Sequence, residues 1–399
     1  MHNPMTLTYA QLMVDLRTAY FDARRHKVSK PYLLKFEENL AENLRGLASE
    51  LYSRTYRPRP STCFIISDPK KREVFAAEFR DRIVHHLYYN YTHELFERGF
   101  IADSYSCIKH RGTHYGIARL EQHIRQESLN YTEKVYILKM DISGYFMNIS
   151  RQRLFEIVER RLGKMRYHRI NSRRPDTWDD RLDFSFLSFL NRAIILPDPT
   201  ENCIIKGCKS DWDYLPPRRS LFHSPEGCGL PIGNLTSQLF SNVYLGEFDD
   251  FMKRTIRAHR YGRYVDDFYV VDNDFERLQL MIPDIQNYLK FELGLDVNEE
   301  KTTITDSNTG VEFLGAYLKP RRRYISRHSL RRLLRRLPPV LAAADPAQIN
   351  SYLGILSHYN AYRITKRLFI PLHYKRGYFT MGMKKYVPLP GWVRNENFF

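Results

Sequence analysis

Arg263-Tyr264-Val265-Asp266-Asp267-Phe268-Tyr269-Val270-Val271 sets two adjacent carboxylates between β-formers, with Tyr and Val before them and Phe, Tyr, Val and Val after. The pattern predicts a hairpin with Asp-Asp at or beside its turn. About 4 Å apart at an effective dielectric of about 20, two like charges repel by roughly 4 kcal/mol. The apolar flanks argue against a solvated turn. A divalent cation would convert the repulsion into ligation, because Mg²⁺ takes hard oxygen ligands at about 2.0–2.1 Å. Taken alone, the pair reads more readily as an ordinary Asp-rich turn. A third carboxylate upstream changes the balance.

Residues 134–140 alternate as a strand and run into Asp141-Ile142-Ser143-Gly144-Tyr145-Phe146, ahead of a helix at 151–162. A carboxylate at a strand end before a Gly turn can face the hairpin pair, so that two cations about 3.5–4 Å apart bridge attacking and leaving oxygens. Residues 229–238, Gly-Leu-Pro-Ile-Gly-Asn-Leu-Thr-Ser-Gln, form a Pro/Gly loop opening a helix over 239–253. Such a turn lets backbone approach a base pair or a phosphate, though a generic loop–helix junction has the same look.

The bulk numbers narrow the class. At 399 residues, 43% hydrophobic and 14% aromatic, the chain has room for two or three folded subdomains. Lys plus Arg less Asp plus Glu is 62 − 45 = +17, which implies a polyanionic partner, nucleic acid ahead of an anionic membrane. No apolar run reaches the roughly 18 residues of a membrane span, and residues 1–16 are too polar for a signal peptide, so a cytoplasmic protein with no membrane partner is expected. Cys63, Cys107, Cys203, Cys208 and Cys228 are odd in number and scattered, so free thiols are expected. Cys203, Cys208, Cys228 and His223 fit no common zinc spacing.

Elsewhere, helical periodicity over 6–56 predicts two or three basic helices. Strands at 62–66 and 73–76 flank Ser67-Asp68-Pro69-Lys70-Lys71-Arg72, a hairpin with a basic tip. An amphipathic helix follows at 79–96, opening with Arg80 and Arg82. Residues 104–112 read as a strand into a basic turn before a helix near 113–128. Residues 164–225 read as an insertion with a helix around 184–195. Its Arg173-Arg174, Arg218-Arg219, Trp178, Trp212 and Tyr214 either clamp a strand or pack the insertion down. A helix over 275–293 precedes Lys301, and strands at 311–318 and 324–325 flank Arg321-Arg322-Arg323. Residues 327–370 read as helical, with a polybasic first helix carrying Arg331, Arg332 and Arg335 that suits phosphates. The tail after Pro371 is basic and aromatic without a readable period.

Together these residues resemble a reverse transcriptase. Asp141 with Phe146, the 230–238 loop, Tyr264-Val265-Asp266-Asp267, Lys301 and the Phe313-Leu314-Gly315 turn occur in that family's order, over roughly residues 55–365. A narrower similarity is to the reverse transcriptases of diversity-generating retroelements. Most reverse transcriptases carry Gln-Gly and Ser-Pro in the loop where this chain has Ile232-Gly233 and Ser237-Gln238. Lys206-Gly207, Trp212, Leu215-Pro216 and Ser220-Leu221-Phe222 point the same way.

The resemblance implies an α+β right-hand polymerase fold. N-terminal basic helices would span 1–54, fingers 55–133, an antiparallel-sheet palm 134–323 with the insertion, a helical thumb 324–370, and a tail 371–399. It implies that Asp141, Asp266 and Asp267, with the Ile142 carbonyl, hold two Mg²⁺, with Mn²⁺ a substitute. Lys70, Lys71 and Arg72, with Arg80 as helper, would meet the triphosphate. Phe146 would lie under the sugar, where its ring clashes with a 2′-hydroxyl, though taken alone core packing is the better account of it. Ile232, Gly233 and Gln238 would line the nucleotide site, and Lys301 would assist the leaving pyrophosphate. Leu314 and Gly315 would steady the primer, and the thumb arginines would grip the hybrid.

The activity implied is RNA-directed DNA polymerisation, error-prone at template adenines. The implied partners are template RNA, the RNA/cDNA hybrid, deoxynucleoside triphosphates and an oligomeric basic accessory protein, the accessory variability determinant. No ribonuclease H, endonuclease or protease segment is expected. The alternatives are a retron-type or phage-defence reverse transcriptase, and a catalytically idle RNA-binding scaffold.

Overall fold

The computed structural model describes residues 5–68, 70–171, 175–370 and 377–389. Arg173-Arg174 and much of the tail lie outside them. The chain opens with three helices, α1 (Tyr9–Arg24), α2 (Pro31–Glu37) and α3 (Leu40–Tyr52). Next come the hairpin β1 (Ser61–Ile66) and β2 (Arg72–Ala76), and the helices α4 (Phe79–Glu97) and α5 (Thr113–Glu127). Strand β3 (Tyr136–Asp141) leads through the short α6 (Tyr145–Asn148) to α7 (Arg151–Met165), α8 (Phe184–Ile195), β4 (Cys203–Ile205) and α9 (Leu235–Arg254). Then follow β5 (Arg260–Tyr264), β6 (Asp267–Asp272), α10 (Phe275–Asn287) and β7 (Thr303–Asp306). The chain continues through β8 (Val311–Phe313), β9 (Ala316–Lys319) and β10 (Arg322–Ile325) to α11 (Arg327–Ala343), α12 (Pro346–Ser357) and α13 (Tyr362–Phe369). It closes with β11 (Gly377–Phe379) and β12 (Tyr386–Pro388).

The α+β expectation holds. A four-stranded antiparallel sheet, ordered β5-β6-β3-β7, runs through the middle, buried on both faces. Alternation along β6 explains how. Phe268 and Val270, with Leu138 and Met140 of β3, join the large core that includes residues of α4, α7, α9 and α10. Tyr269 and Val271, with Ile137, point into a second core with Ile117 and Leu120 of α5 and Phe313 of β8. A one-residue slip of β6 would exchange these faces and carry Asp267 away from β3, so the register is strongly specified.

Three expectations are corrected. Residues 104–112 are not a strand: Ser104 makes one isolated bridge to Arg263, and the left-handed backbone at Cys107 (φ 55°) and His110 (φ 63°) forbids extension. Residues 311–318 are two strands, divided by left-handed Leu314 (φ 50°) and Gly315 (φ 82°), and β10 completes a three-stranded sheet. The described part of the tail is structured. Strands β11 and β12 pair, Tyr386 is buried, and Asn350 of α12 bonds both backbone groups of Tyr386. Three-residue strands are too short to show a period.

The 164–225 segment is joined to the first hairpin. Strand β4 pairs in parallel with β1, and the carboxylate of Glu73, buried on β2, accepts hydrogen bonds from Trp212 Nε1, Ser220 Oγ and the Leu221 amide. Trp178 is buried with the Arg98 guanidinium 5.1 Å from its ring, whereas Tyr214 is 98% exposed.

Candidate active site

The β5–β6 turn is two residues long and strained at one of them. Val265 has φ 56°, a conformation a β-branched residue adopts only when its surroundings impose it. Here they do. Arg263, fully buried, donates to the Val265 carbonyl at 3.1 Å and grips both oxygens of buried Asp249 at 2.8 and 2.6 Å. Asp249 also accepts from Tyr261 Oη at 2.7 Å. The Arg263 amide donates to Asp103, and its carbonyl accepts from Tyr105. From the other side, the Ile142 amide donates to the Asp266 carbonyl at 3.2 Å.

The same ladder brings the acidic groups together. Asp141 lies directly opposite Asp267 in the β3–β6 register, and Asp266 precedes Asp267 in the turn. The end of β3 is locked on its far edge, where the Asp141 carbonyl accepts from Asn298 and the Ser143 amide donates to Asp296. Two lysines attend the cluster. Lys301 Nζ donates to Asp141 Oδ2 at 2.6 Å, and Lys139 Nζ stands 3.8 Å from Asp267 Oδ1.

Burial pushes the Asp266 carboxyl up to about 6; Asp141 adds to the shift, and Lys301 and Arg72 oppose it. Burial raises Asp267 to about 7 against the pull of Lys139, with Asp266 and Asp141 adding to the rise. Asp267 Oδ1 is buried without a hydrogen-bond partner. Among the described residues no group of three His, Cys, Asp or Glu side chains is drawn close enough to hold an ion in this conformation. The cluster's chemistry nonetheless fits a hard divalent cation. The side-chain donors are all carboxylate oxygens, one of them has no hydrogen-bond partner, and two of the carboxyls are raised in pKa by burial and by acidic neighbours.

The other singled-out residues fall into three groups. Arg72, exposed at the start of β2, is near enough to Asp266 to lower its pKa, and Lys70 is exposed at the hairpin tip. Lys71, grouped with them by sequence, instead donates to the Asp213 carbonyl at 2.5 Å. Arg80 is a correction. It is buried in α4, paired with Glu50 and 5.2 Å from the Tyr56 ring, so its charge is spent on the N-terminal helices.

In the second group, Phe146 is half-buried against Tyr145, at 5.2 Å between ring centroids, and touches both the main core and a small core containing Cys63, Phe75, Met147 and Leu221. Ile232 packs on that small core, and its carbonyl accepts from the Phe75 amide at 2.9 Å. Gly233 (φ +130°) lies so close to β2 that a Cβ there would meet Val74 Cγ1 at 2.9 Å and the Phe75 carbonyl oxygen at 3.0 Å. The 229–233 loop is therefore strapped to the hairpin. Gln238 is exposed on α9.

The third group is farther along the chain. Leu314 and Gly315 form the β8–β9 turn beside Gly116, and the Gly315 carbonyl accepts from the Ser326 amide. Arg331 and Arg335 are exposed and Arg332 half-buried on α11.

Sequence reasoning missed Arg263, Asp249 and Glu73 as the groups that hold the site's shape. One signal was available: Arg263 is a charge inside a run buried on both faces, where it needs a buried partner.

Comparison with known proteins then supplies a class. Residues 180–318 match the family described as reverse transcriptase (RNA-dependent DNA polymerase). Protein YkfC of Escherichia coli (strain K12) is 24% identical over 351 residues, covering 79% of this chain and 81% of that protein. The telomerase from Candida albicans in complex with the TWJ fragment of telomeric RNA aligns with a TM-score of 0.47 at 13% identity, over 80% of this chain and 57% of that one. Apo telomerase from Candida tropicalis, truncated from its C-terminal domain, aligns with a TM-score of 0.45 at 14% identity, over 67% of this chain and 55% of that one. The chain thus spans little more than half the length of those telomerase chains. The matched domain is that of an RNA-directed DNA polymerase, a nucleotidyltransferase. Polymerases of this kind use divalent metal ions. No helix among the described residues is long and apolar enough to cross a membrane.

Proposed function

We propose, with a reverse transcriptase domain over residues 180–318 as the premise, that the chain copies a template RNA into DNA from deoxynucleoside triphosphates. Its narrower role in this reading is error-prone copying at template adenines for a diversity-generating retroelement, in the cytoplasm, alongside an oligomeric basic accessory protein. The observation that carries the catalytic part is Asp141 set opposite Asp267 across β3 and β6, with Asp266 beside them. Asp141 and Asp266, with Asp267 and the Ile142 carbonyl, would hold two Mg²⁺, or Mn²⁺ in its place, which when bound supply Lewis acidity to the attacking primer oxygen and the departing pyrophosphate.

The chain's own side chains do the rest by position and charge. Arg72 and Lys70 meet the triphosphate oxygens. Lys301, which donates to Asp141 at 2.6 Å, neutralises charge as pyrophosphate departs. Phe146, braced by Tyr145, sits under the sugar and rejects a 2′-hydroxyl. The thumb arginines Arg331, Arg332 and Arg335 have no ion-pair partner among the described residues and grip the hybrid backbone.

The adenine-error reading rests on Ile232. Its side chain packs on an apolar cluster and has no donor or acceptor with which to check a base pair. Primer extension on an RNA template with Mg²⁺, followed by product sequencing, tests both levels. Extension on RNA supports the polymerase. Errors concentrated at template adenines that fall in Ile232→Gln support the narrower role, and an error spectrum indifferent to that change removes it.

A further inference from the structure

The segment between β4 and α9 does more than cover the hairpin: it carries Arg218 to the strand-end turn that follows Asp141. Residues 206–222 are fastened at several points. The Lys206 backbone amide donates to the Cys63 carbonyl at 2.8 Å, and Lys71 Nζ donates to the Asp213 carbonyl at 2.5 Å. Glu73, 1% exposed, holds Trp212, Ser220 and Leu221 at 2.7, 2.9 and 2.6 Å. A buried carboxylate with three donors is a fixed anchor, because each of those bonds is charge-assisted. Between the anchored ends, Pro216 and Pro217 limit the backbone, and a single 3₁₀ turn, Pro217–Arg219, is presented outward.

That turn lies against Gly144. A Cβ at Gly144 would be 3.0 Å from the Arg218 carbonyl oxygen and 3.8 Å from Arg218 Cβ. Gly144 is three residues after Asp141, so the two are separated by no more than about 11 Å of chain. Arg218 is exposed, Arg219 is half-exposed, and neither guanidinium has a hydrogen-bond or ion-pair acceptor among the described residues. Asp211 of the strap does not neutralise them: its carboxylate is turned back to cap the Cys208 amide at 2.9 Å. Arg72, adjacent to the anchor Glu73, is exposed on the same hairpin. Lys71, which sequence placed on the triphosphate, is instead used to hold the strap.

We infer that Arg218, with Arg219 beside it, binds phosphate oxygens of the incoming deoxynucleoside triphosphate from the insertion side, in addition to the hairpin's Arg72. The inference rests on the polymerase reading above. A guanidinium suits this position because its fork meets two phosphate oxygens at once.

The test is steady-state extension on an RNA template with Arg218→Gln and Arg218→Lys, alongside equilibrium titration of a deoxynucleoside triphosphate onto the chain–hybrid complex with Ca²⁺ replacing Mg²⁺. Losing one charge-assisted contact made equally in ground and transition states raises KM for the nucleotide about tenfold with kcat little changed. Arg218→Lys is expected to recover part of that loss, the titration to show the same weakening, and thermal stability to be unaltered. Weaker binding of the RNA–primer hybrid with an unchanged nucleotide KM would overturn the assignment in favour of a template contact. Unchanged values for both would overturn it outright. If the parent chain extends no primer on RNA, the polymerase reading fails, while the titration still decides whether Arg218 binds the nucleotide.

Discussion

Two hairpins contribute charge to the candidate site, and they are built in opposite ways. The β5–β6 turn carries the negative groups and is clamped from every side, by a fully buried Arg263, by Asp249 behind it and by Ile142 across from it. The β1–β2 hairpin carries positive groups on an exposed tip, where Lys70 and Arg72 have no ion-pair partner among the described residues. The contrast follows from what each must do. Like charges held close and buried lose by mutual repulsion and by desolvation, so the turn that carries them keeps its place only where the surrounding fold clamps it. Cations that receive a ligand cost less when they stay hydrated and free until it arrives.

The largest expected break in the comparison is Asp266→Asn. Primer extension should fall by about 10³-fold or more, with the far-UV spectrum unchanged, since catalysis here is charge placement. Retained extension would remove Asp266 from the chemistry. Asp249→Asn attacks the clamp instead. It leaves the Arg263 guanidinium buried without its counter-charge, and chemical denaturation should register a loss of about 3–5 kcal/mol. A loss under about 1 kcal/mol would mean that water replaces the partner.

The pH response sharpens the contrast. Asp266 and Asp267 titrate at about 6 and about 7 in the fold, above an unfolded value near 3.9. Their contribution to stability is therefore fully present below about pH 4 and lost as pH rises through 6 and 7. In chelator the melting temperature should fall across that window. In Mg²⁺ the protective increment should grow over the same range, because ligation needs the deprotonated carboxylates. A melting temperature flat from pH 5 to 8 in chelator would contradict this.

The smallest effect belongs to the hairpin tip. Arg72→Gln should raise the nucleotide KM several-fold, about 5–10-fold, yet shift stability by no more than about 0.5 kcal/mol. A stability loss as large as that of Asp249→Asn would erase the distinction between the two hairpins.

Part of this was legible along the chain. The alternation of β6, the strand ending at Asp141 and the helices flanking both are local patterns, and local patterns survive folding when the core agrees with them. The misreadings have local causes too. Residues 104–112 look extended until two left-handed residues are known, and nothing in a Cys or a His announces a positive φ. The β11 and β12 strands are too short to carry a period.

Partnerships were not legible. Lys71 and Arg80 are as basic as Arg72, yet one is tied to Asp213 and the other to Glu50, far away in sequence. Glu73 reads as one more charge on a hairpin and is instead the post to which residues 212–221 are tied. By itself the sequence determined which residue types, at which strand ends, could carry the chemistry, because backbone period and side-chain polarity are properties of neighbours in the chain. Which charges stay free for a ligand and which are consumed in holding the site was decided by tertiary packing alone. An ion pair forms with whatever the fold brings within about 4 Å, and no spacing in the sequence encodes that distance.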